Sequence, residues 1–362
     1  MRKIAPPLAR RAGRQYWRSV RNAGLAQTRK QSRKQPAATI RPMALGEFEL
    51  IDRYFRRPVR RAALGVGDDC ALLNIRPGMQ LAVSTDLLVE GRHFLSTVDP
   101  ARLGHKSLAV NLSDLAACGA EPLAFTLSLS MPRPDERFLA PFAQGLLALA
   151  DRHGIELVGG DTTAGPLTIG ITVMGEVPPG QALRRSGAQA GDVLWVSGFP
   201  GEARLALEVF RGTLSLSEDD FQAARRAMEQ PEPRVALGLA LRGLATAAID
   251  VSDGLLGDLG HVLRASGVGA VLHLADFPRR PLLARQPVAV QRMAGLTGGD
   301  DYELLFTAPE AAGPAVQAAA AQAGVPVQAI GRITATPGLQ ALDEAGAPLD
   351  LAGWAAFDHF KS

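Results

Sequence analysis

The chemistry-bearing residues of this 362-residue chain are carboxylates set beside glycines or at the ends of apolar runs. Seven such positions recur: Asp68 with Asp69, Asp86, Asp114, Asp161, Asp250, Asp253, and Asp300 with Asp301. Any one would serve equally as a helix cap or turn residue; so many in one chain point to a shared task. If they converge, two of them about 4 Å apart repel by about 4 kcal/mol at an effective dielectric of 20, so the cluster calls for protons, water or a metal ion. Oxygen donors, with no Cys or His pair at tetrahedral spacing, favour Mg²⁺ over zinc. Because Mg²⁺ combines few carboxylates with phosphate oxygens, the implied ligand is a polyphosphate. A Walker-type site is excluded, since Lys106 is the one lysine between residues 35 and 360 and follows His105, not glycine. Cationic help then falls to Mg²⁺ and arginine, with Arg184 and Arg185 as the leading pair.

The elements that must position these groups follow from patterning. Residues 81–94 (LAVSTDLLVEGRHF) read as an apolar, buried strand that ends by presenting Ser84, Thr85 and Asp86, with the His93 imidazole following Gly91. Residues 47–55 are spaced as an amphipathic helix, and GVGDDCALL lacks the third glycine of a dinucleotide fingerprint. Residues 101–120 are helical, with Asn111 and Asp114 on one face at i and i+3. A half-buried strand at 123–130 and a helix at 135–153 precede a short strand, 155–158, that ends in Gly159, Gly160 and Asp161. After a strand at 167–177, Pro178, Pro179 and Gly180 mark a boundary.

In the second half, a strand at 193–196 leads to helices at 203–210 and 234–244. The strand 247–251 ends in Ser252, Asp253 and Gly254 before a helix at 255–265 and a return strand at 268–274, a strand–helix–strand unit with acids at the carboxyl end of its first strand. GGDDYELLFT adds a glycine-acid turn before a strand, and an alanine-rich helix and a strand at 327–333 follow.

Length predicts two domains, and a composition 47% hydrophobic and 21% charged is that of a soluble globular protein without a membrane span. The expected organisation is a basic, disordered leader at 1–42 and domains at 43–177 and 178–362. The leader holds 12 Arg and Lys and no acid, without the apolar stretch of a secretory signal; Met43 directly follows it as a second candidate start. The remaining 320 residues carry 27 basic and 36 acidic side chains, net −9, which speaks against a nucleic-acid-binding core. Cys70 and Cys118 are too few for a disulfide framework and read as reduced core residues of a cytoplasmic protein.

The ordered segments GEFELIDRYF, GVGDDCALL, STDLLVEGRHF, KSLAVNLSDLAACGAEP, GGDTT, RRSGAQAGD, IDVSDGLLGDLGH and GGDDYEL resemble the thiamine-monophosphate kinase family over residues 46–360. The resemblance implies an α/β, two-domain aminoimidazole ribonucleotide synthetase-like fold with mixed sheets packed by helices. It implies ATP-dependent phosphorylation of thiamine monophosphate to thiamine diphosphate, several Mg²⁺ ions, and a homodimer paired through its amino-terminal halves, with ATP largely along that half. Carried over by motif, Asp69, Ser84, Thr85, Asp86, Asp114, Asp161, Asp250 and Asp253 are the Mg²⁺ ligands. Gly160, Asp161, Arg185 and Ser252 are the ATP contacts, and His93, Asp300 and Phe357 lie on the substrate side. Where the family commonly has Gly-Gly-Glu-Asp this chain has Asp300, a carboxylate one methylene shorter, and the arginine-rich leader is outside the family pattern. Competing readings are a sibling ATP-dependent enzyme with another acceptor and a nucleotide-binding protein using the leader as a nucleic-acid arm. A phosphatase fits poorly, because Asp250, Asp253 and Gly254 lack Asp-x-Asp spacing.

Overall fold

The computed structural model describes residues 46–354. Helix α1 (Glu47–Tyr54), strands β1 (Ala62–Leu64) and β2 (Leu72–Leu73) and the long strand β3 (Gln80–Val89) come first. Helix α2 (Pro100–Ala117) starts where Asp99 accepts from the Ala101 and Arg102 N–H groups and Pro100 fills the first helical position. Strand β4 (Glu121–Met131), helix α3 (Glu136–His153) and strands β5 (Glu156–Ala164) and β6 (Thr168–Val177) complete this half. Asp135 caps α3, and Gly154 stops it with a left-handed φ of 61°.

Among the described residues, β3, β6, β4 and β5 form a four-stranded sheet in that order, antiparallel except for the parallel β4–β5 pair. Helices α2 and α3 pack together closely for a reason visible in sequence. A Cβ at Gly104 would lie 2.0 Å from the Phe142 oxygen, and one at Gly145 1.9 Å from the Ala101 oxygen, so the backbones meet only because both residues are glycine. The core here is built from Leu103, Leu108, Leu112, Phe125, Phe142 and Leu146, all fully buried. Truncating one such phenylalanine to alanine costs about 3–5 kcal/mol.

The second half contains β7 (Val193–Ser197), α4 (Glu202–Phe210), α5 (Glu218–Glu229), α6 (Val235–Ala240), β8 (Ala247–Asp250), α7 (Leu255–Ser266) and β9 (Gly269–His273). After these come α8 (Pro281–Ala284), α9 (Val288–Thr297), β10 (Leu304–Ala308), α10 (Gly313–Ala323), β11 (Val327–Thr334), β12 (Gly338–Leu342) and β13 (Pro348–Leu349). Among the described residues its strands make a seven-stranded mixed sheet, β13-β12-β9-β11-β7-β10-β8. The expected α/β character with mixed sheets packed by helices is therefore present. Helix α2 packs against β3, β6, α6 and β8, which explains why it buries polar groups as well as leucines. No described helix is long and apolar enough to cross a membrane.

Several local readings need correction. Strand β3 does not end at Ser84 but runs on to Val89, because it pairs with β6 along its whole length. Nor is it buried on both sides: Leu81, Val83 and Leu87 are 45, 59 and 58% exposed. Strand β5 likewise continues through Gly159, Gly160 and Asp161 to Ala164, held by β4. Cys70 is exposed and Cys118 half-buried, so neither belongs to the core. The helix expected at 234–244 is confined to Val235–Ala240, and the sequence pattern gives no clear sign of α5, α8, α9, β12 or β13.

Candidate active site

Three elements bring carboxylates together in a cleft of about 840 Å³. Strand β3 supplies Asp86, α2 supplies Asp114, and the end of β8 supplies Asp250 with the Ser252–Asp253 loop beyond it. Hydrogen bonds set their orientation. The Ser84 hydroxyl donates to Asp114 Oδ2, and the Ser113 hydroxyl donates to Asp250 Oδ2 at 2.7 Å. Asn111, almost fully buried, accepts from the Asp86 N–H at 3.1 Å and donates to the Ser107 carbonyl at 3.0 Å, pinning β3 to α2. Asp258, in the first turn of α7, accepts from the Ser252 and Asp253 N–H groups at 3.0 and 3.2 Å and so shapes the loop.

Charge accumulates here without an equal number of cations. Burial, then Asp114 and Asp253, push the Asp86 carboxyl up to about 6. Burial, then Asp114, push Asp250 up to about 7. Asp258 is raised to about 7 by burial and then by Asp253. Asp114 is also raised by burial, against the pull of the Ser84 hydroxyl and of Arg185. This is the behaviour expected when several carboxylates share a low-dielectric site. Among the described residues, no three His, Cys, Asp or Glu side chains are grouped closely enough to hold an ion unaided. Such a donor set suits Mg²⁺, which takes one or two carboxylates and completes its shell with water and phosphate oxygens.

The same cleft is lined by the 298–302 turn, whose Asp300 and Tyr302 N–H groups donate to the Ser252 and Val251 carbonyls, by His93 and by α4 through Ala203, Leu207 and Phe210. His93 Nδ1 accepts from the Val89 N–H at 3.0 Å, which fixes the ring in the turn after β3. Asp300 accepts from Lys106 Nζ at 2.9 Å and from the Tyr302 hydroxyl at 3.0 Å. Asp301 turns away from the cleft and accepts from the Gly201 N–H at 2.8 Å, just before α4.

Other expected site residues lie elsewhere. Asp69, Gly160 and Asp161 line a second cavity of about 620 Å³ beside α1. Strand register measures the separation: Asp86 pairs with Ile171, Ile171 with Leu127, and Leu127 with Gly160, so β3 and β5 are opposite edges of the sheet. Three strand spacings make that about 14 Å along the sheet. Asp161 belongs to the neighbouring row, which ends at the exposed Leu87. Thr85 also faces the exposed side, its hydroxyl donating to the Ile171 carbonyl at 3.0 Å. At Gly160 a Cβ would meet the Leu127 oxygen at 1.8 Å, so glycine is required there by packing. Arg185 is exposed, near enough to Asp114 and Asp258 to favour their ionised forms. Phe357 lies outside the described residues.

Comparison with known proteins is consistent along the chain. Residues 67–177 match the model of the AIR synthase related protein, N-terminal domain, and residues 189–344 that of its C-terminal domain. The thiamine-monophosphate kinase of Salmonella typhimurium is 46% identical over 327 residues, 88% of this chain and 100% of the relative. This chain belongs to the thiamine-monophosphate kinase family. A family member from Stenotrophomonas maltophilia, solved by crystallography, superposes with a TM-score of 0.76 at 43% identity, covering 85% of this chain and 99% of that one. The complex described as AaThiL with AMPPCP and TMP superposes with a TM-score of 0.68 at 27% identity, over 79% of this chain and 89% of its own.

Within this family fold, sequence reasoning missed two groups. Lys106 lacks the glycines of a P-loop, yet its ammonium reaches the Asp300 carboxylate of the cleft from inside α2. Asp258 had a usable signal, an acid in the first turn of a helix just after a loop with backbone N–H groups to satisfy.

Proposed function

We propose that the chain transfers the γ-phosphoryl group of ATP to thiamine monophosphate, forming thiamine diphosphate and ADP. The observation that carries this is the convergence of Asp86, Asp114, Asp250 and Asp253 in one cleft that Asp300 also lines, in a chain 46% identical to a thiamine-monophosphate kinase along that enzyme's whole length. The bond from the γ-phosphorus to the β-bridging oxygen breaks, and a terminal phosphate oxygen of the acceptor forms the new bond in line. An acceptor phosphate dianion needs no general base near neutral pH, so the demand on the protein is electrostatic.

Asp86, Asp114, Asp250 and Asp253 hold Mg²⁺ in this reading, joined by Asp69, Ser84, Thr85 and Asp161 toward the nucleotide. When bound, the ions neutralise the charge that otherwise keeps the triphosphate and the acceptor phosphate apart. Asn111 and Ser113 keep Asp86 and Asp250 aimed into the cleft, and Asp258 keeps the Ser252–Asp253 backbone in place for the nucleotide phosphates. Gly160, Asp161, Arg185 and Ser252 take ATP. His93, Asp300 and Phe357 take the thiamine moiety, the ring of Phe357 stacking on its cationic thiazolium or pyrimidine.

The reading includes domains at 43–177 and 178–362, a cytoplasmic location, and a homodimer. The dimer is supported by the exposed row Leu81, Val83 and Leu87 on β3, an apolar face that a second copy would cover. It is also supported by the edge-to-edge distance between Asp86 and Asp161, which leaves room for a partner's residues to share the nucleotide. The test is incubation of the chain with ATP, Mg²⁺ and thiamine monophosphate, with unphosphorylated thiamine as the control acceptor, and chromatography of the products. Thiamine diphosphate and ADP formed only from the monophosphate support the assignment. ATP binding without that product would transfer it to a sibling enzyme with another acceptor.

A further inference from the structure

Phosphoryl transfer by metal ions and carboxylates leaves Lys106 without a part. It is the one lysine between residues 35 and 360, it is 2% exposed, and it sits on α2 on the cleft side. Eight residues separate it from Asp114, which at 1.5 Å per residue is about 12 Å of helix. One rigid helix thus carries a carboxylate of the cleft, Asp114, and the ammonium that holds Asp300. The Lys106 ammonium donates to Asp300 Oδ2 at 2.9 Å and to the His93 carbonyl at 3.4 Å. The second oxygen of Asp300 accepts from the Tyr302 hydroxyl. Burial and Asp300 push that phenol well above its ordinary value, so it stays a donor.

The turn holding Asp300 is conformationally demanding. Asp300 and Tyr302, with φ of 62° and 52°, are the non-glycine residues in the left-handed region among those described. Their N–H groups donate to the Ser252 and Val251 carbonyls, each at 2.8 Å, which ties the turn to the loop of Asp253. A carboxylate offers about four lone-pair directions. Two are taken by Lys106 and Tyr302, and the Asp300 side chain is still 37% exposed toward the cleft.

We infer that Lys106 is a positioning residue for the acceptor: its buried ammonium fixes the Asp300 carboxylate, and the turn bearing it, where the cationic body of thiamine monophosphate docks. The inference rests on the phosphoryl-transfer reading above and explains how the shorter Asp300 side chain is held at a defined point rather than left to swing. Lys106 acts through Asp300 and touches neither phosphate.

The experiment compares wild type, Lys106→Met, Asp300→Asn and the double variant as full-length chains. It measures kcat, KM for each substrate, and direct binding of thiamine monophosphate and of a non-hydrolysable ATP analogue. Lys106→Met is expected to weaken acceptor KM and binding about tenfold to a hundredfold, the range of a charge-assisted hydrogen bond, with the ATP values within about threefold. The double variant is expected to bind the acceptor within about threefold of Asp300→Asn alone. An unchanged acceptor constant in Lys106→Met, an equal loss for ATP and acceptor, or effects that multiply in the double variant would each overturn the inference. If Lys106→Met does not fold, the comparison of Asp300→Asn with the double variant decides, because removing both charges leaves no lone buried ion. Wild type that binds thiamine monophosphate without forming thiamine diphosphate would fail the phosphoryl-transfer reading alone, and the variants are then read from binding.

Discussion

Replacing Asp250 by asparagine should stabilise the metal-free protein while removing its activity. The carboxyl is 5% exposed, and burial followed by the Asp114 charge raises it from 3.8 to about 7. Because one pH unit corresponds to about 1.36 kcal/mol, ionising it in the folded chain costs about 4 kcal/mol more than in the unfolded one. Below pH about 4 both states are protonated and the cost is absent; from about 4 to about 7 the folded chain keeps a proton that the unfolded chain releases, so stability falls as pH rises; above 7 the full cost is in force. Asparagine cannot ionise and retains an oxygen for the Ser113 hydroxyl. Relative to wild type in a chelator, the variant should gain about 4 kcal/mol at pH 8 and about 1 kcal/mol at pH 4.5. Thermal unfolding reads this as roughly 5 °C or more at the higher pH. Mg²⁺ with an ATP analogue should raise the melting temperature of wild type and not of Asp250→Asn. An equal gap at both pH values, or a variant less stable than wild type at pH 8 without Mg²⁺, would refute the assignment of Asp250 as a buried, strained acid.

Three further outcomes follow from the same geometry. At pH about 4, where its raised carboxyl carries little ionisation cost, Asp258→Ala leaves the Ser252 and Asp253 N–H groups without their acceptor, a loss of about 2–6 kcal/mol in urea unfolding, whereas Asp258→Asn keeps an acceptor and should lose less than half of that; equal losses would show that the acceptor role is wrong. Asp86→Ala and Asp114→Ala should each lower kcat at least about a hundredfold while moving the KM for thiamine monophosphate only a few-fold, and unchanged turnover in both would remove them from the site. Val83→Arg should convert a dimer to a monomer in sedimentation, since it places charge in the exposed apolar row of β3, and a wild-type chain that already sediments as a monomer would dispose of the paired sheet.

What the sequence revealed and what it hid divide along the range of the interactions involved. Local signals sufficed for α2, where the spacing of Leu108, Leu112 and Leu115 lies within a few residues of what it determines. The Asp86, Asp114, Asp250 and Asp253 set was legible because each sits at a glycine turn, at a helix face, or at or beside a strand. The length of β3 and β5 was not, since Ser84 to Val89 and Gly159 to Ala164 stay extended only because β6 and β4 pair with them. Exposure of Leu81, Val83 and Leu87 was hidden for a related reason: an apolar residue facing a core and one facing a partner look alike in one chain. Lys106 escaped because its partner is 194 positions away, and no spacing rule connects a mid-helix lysine to a turn so remote.

The electrostatics also make loading and folding one problem. Asp86, Asp250 and Asp258 are each raised toward neutrality in the free chain, so near pH 7 part of the folding free energy is held in the burial of these acids and, after that, in the repulsion between them. A ligand that supplies positive charge relieves that repulsion only in the folded state, and its binding energy then appears as stability through mass action. Asp300 is arranged differently. It already has Lys106 and Tyr302, which hold its carboxylate in place and leave its remaining lone pairs to the cationic body of the acceptor. The cleft therefore has carboxylates that wait for cations beside one that Lys106 already holds in place. That difference predicts that chelation should cost the protein nucleotide binding and melting temperature together, while leaving the Lys106–Asp300 contact as the part of the site least altered by Mg²⁺.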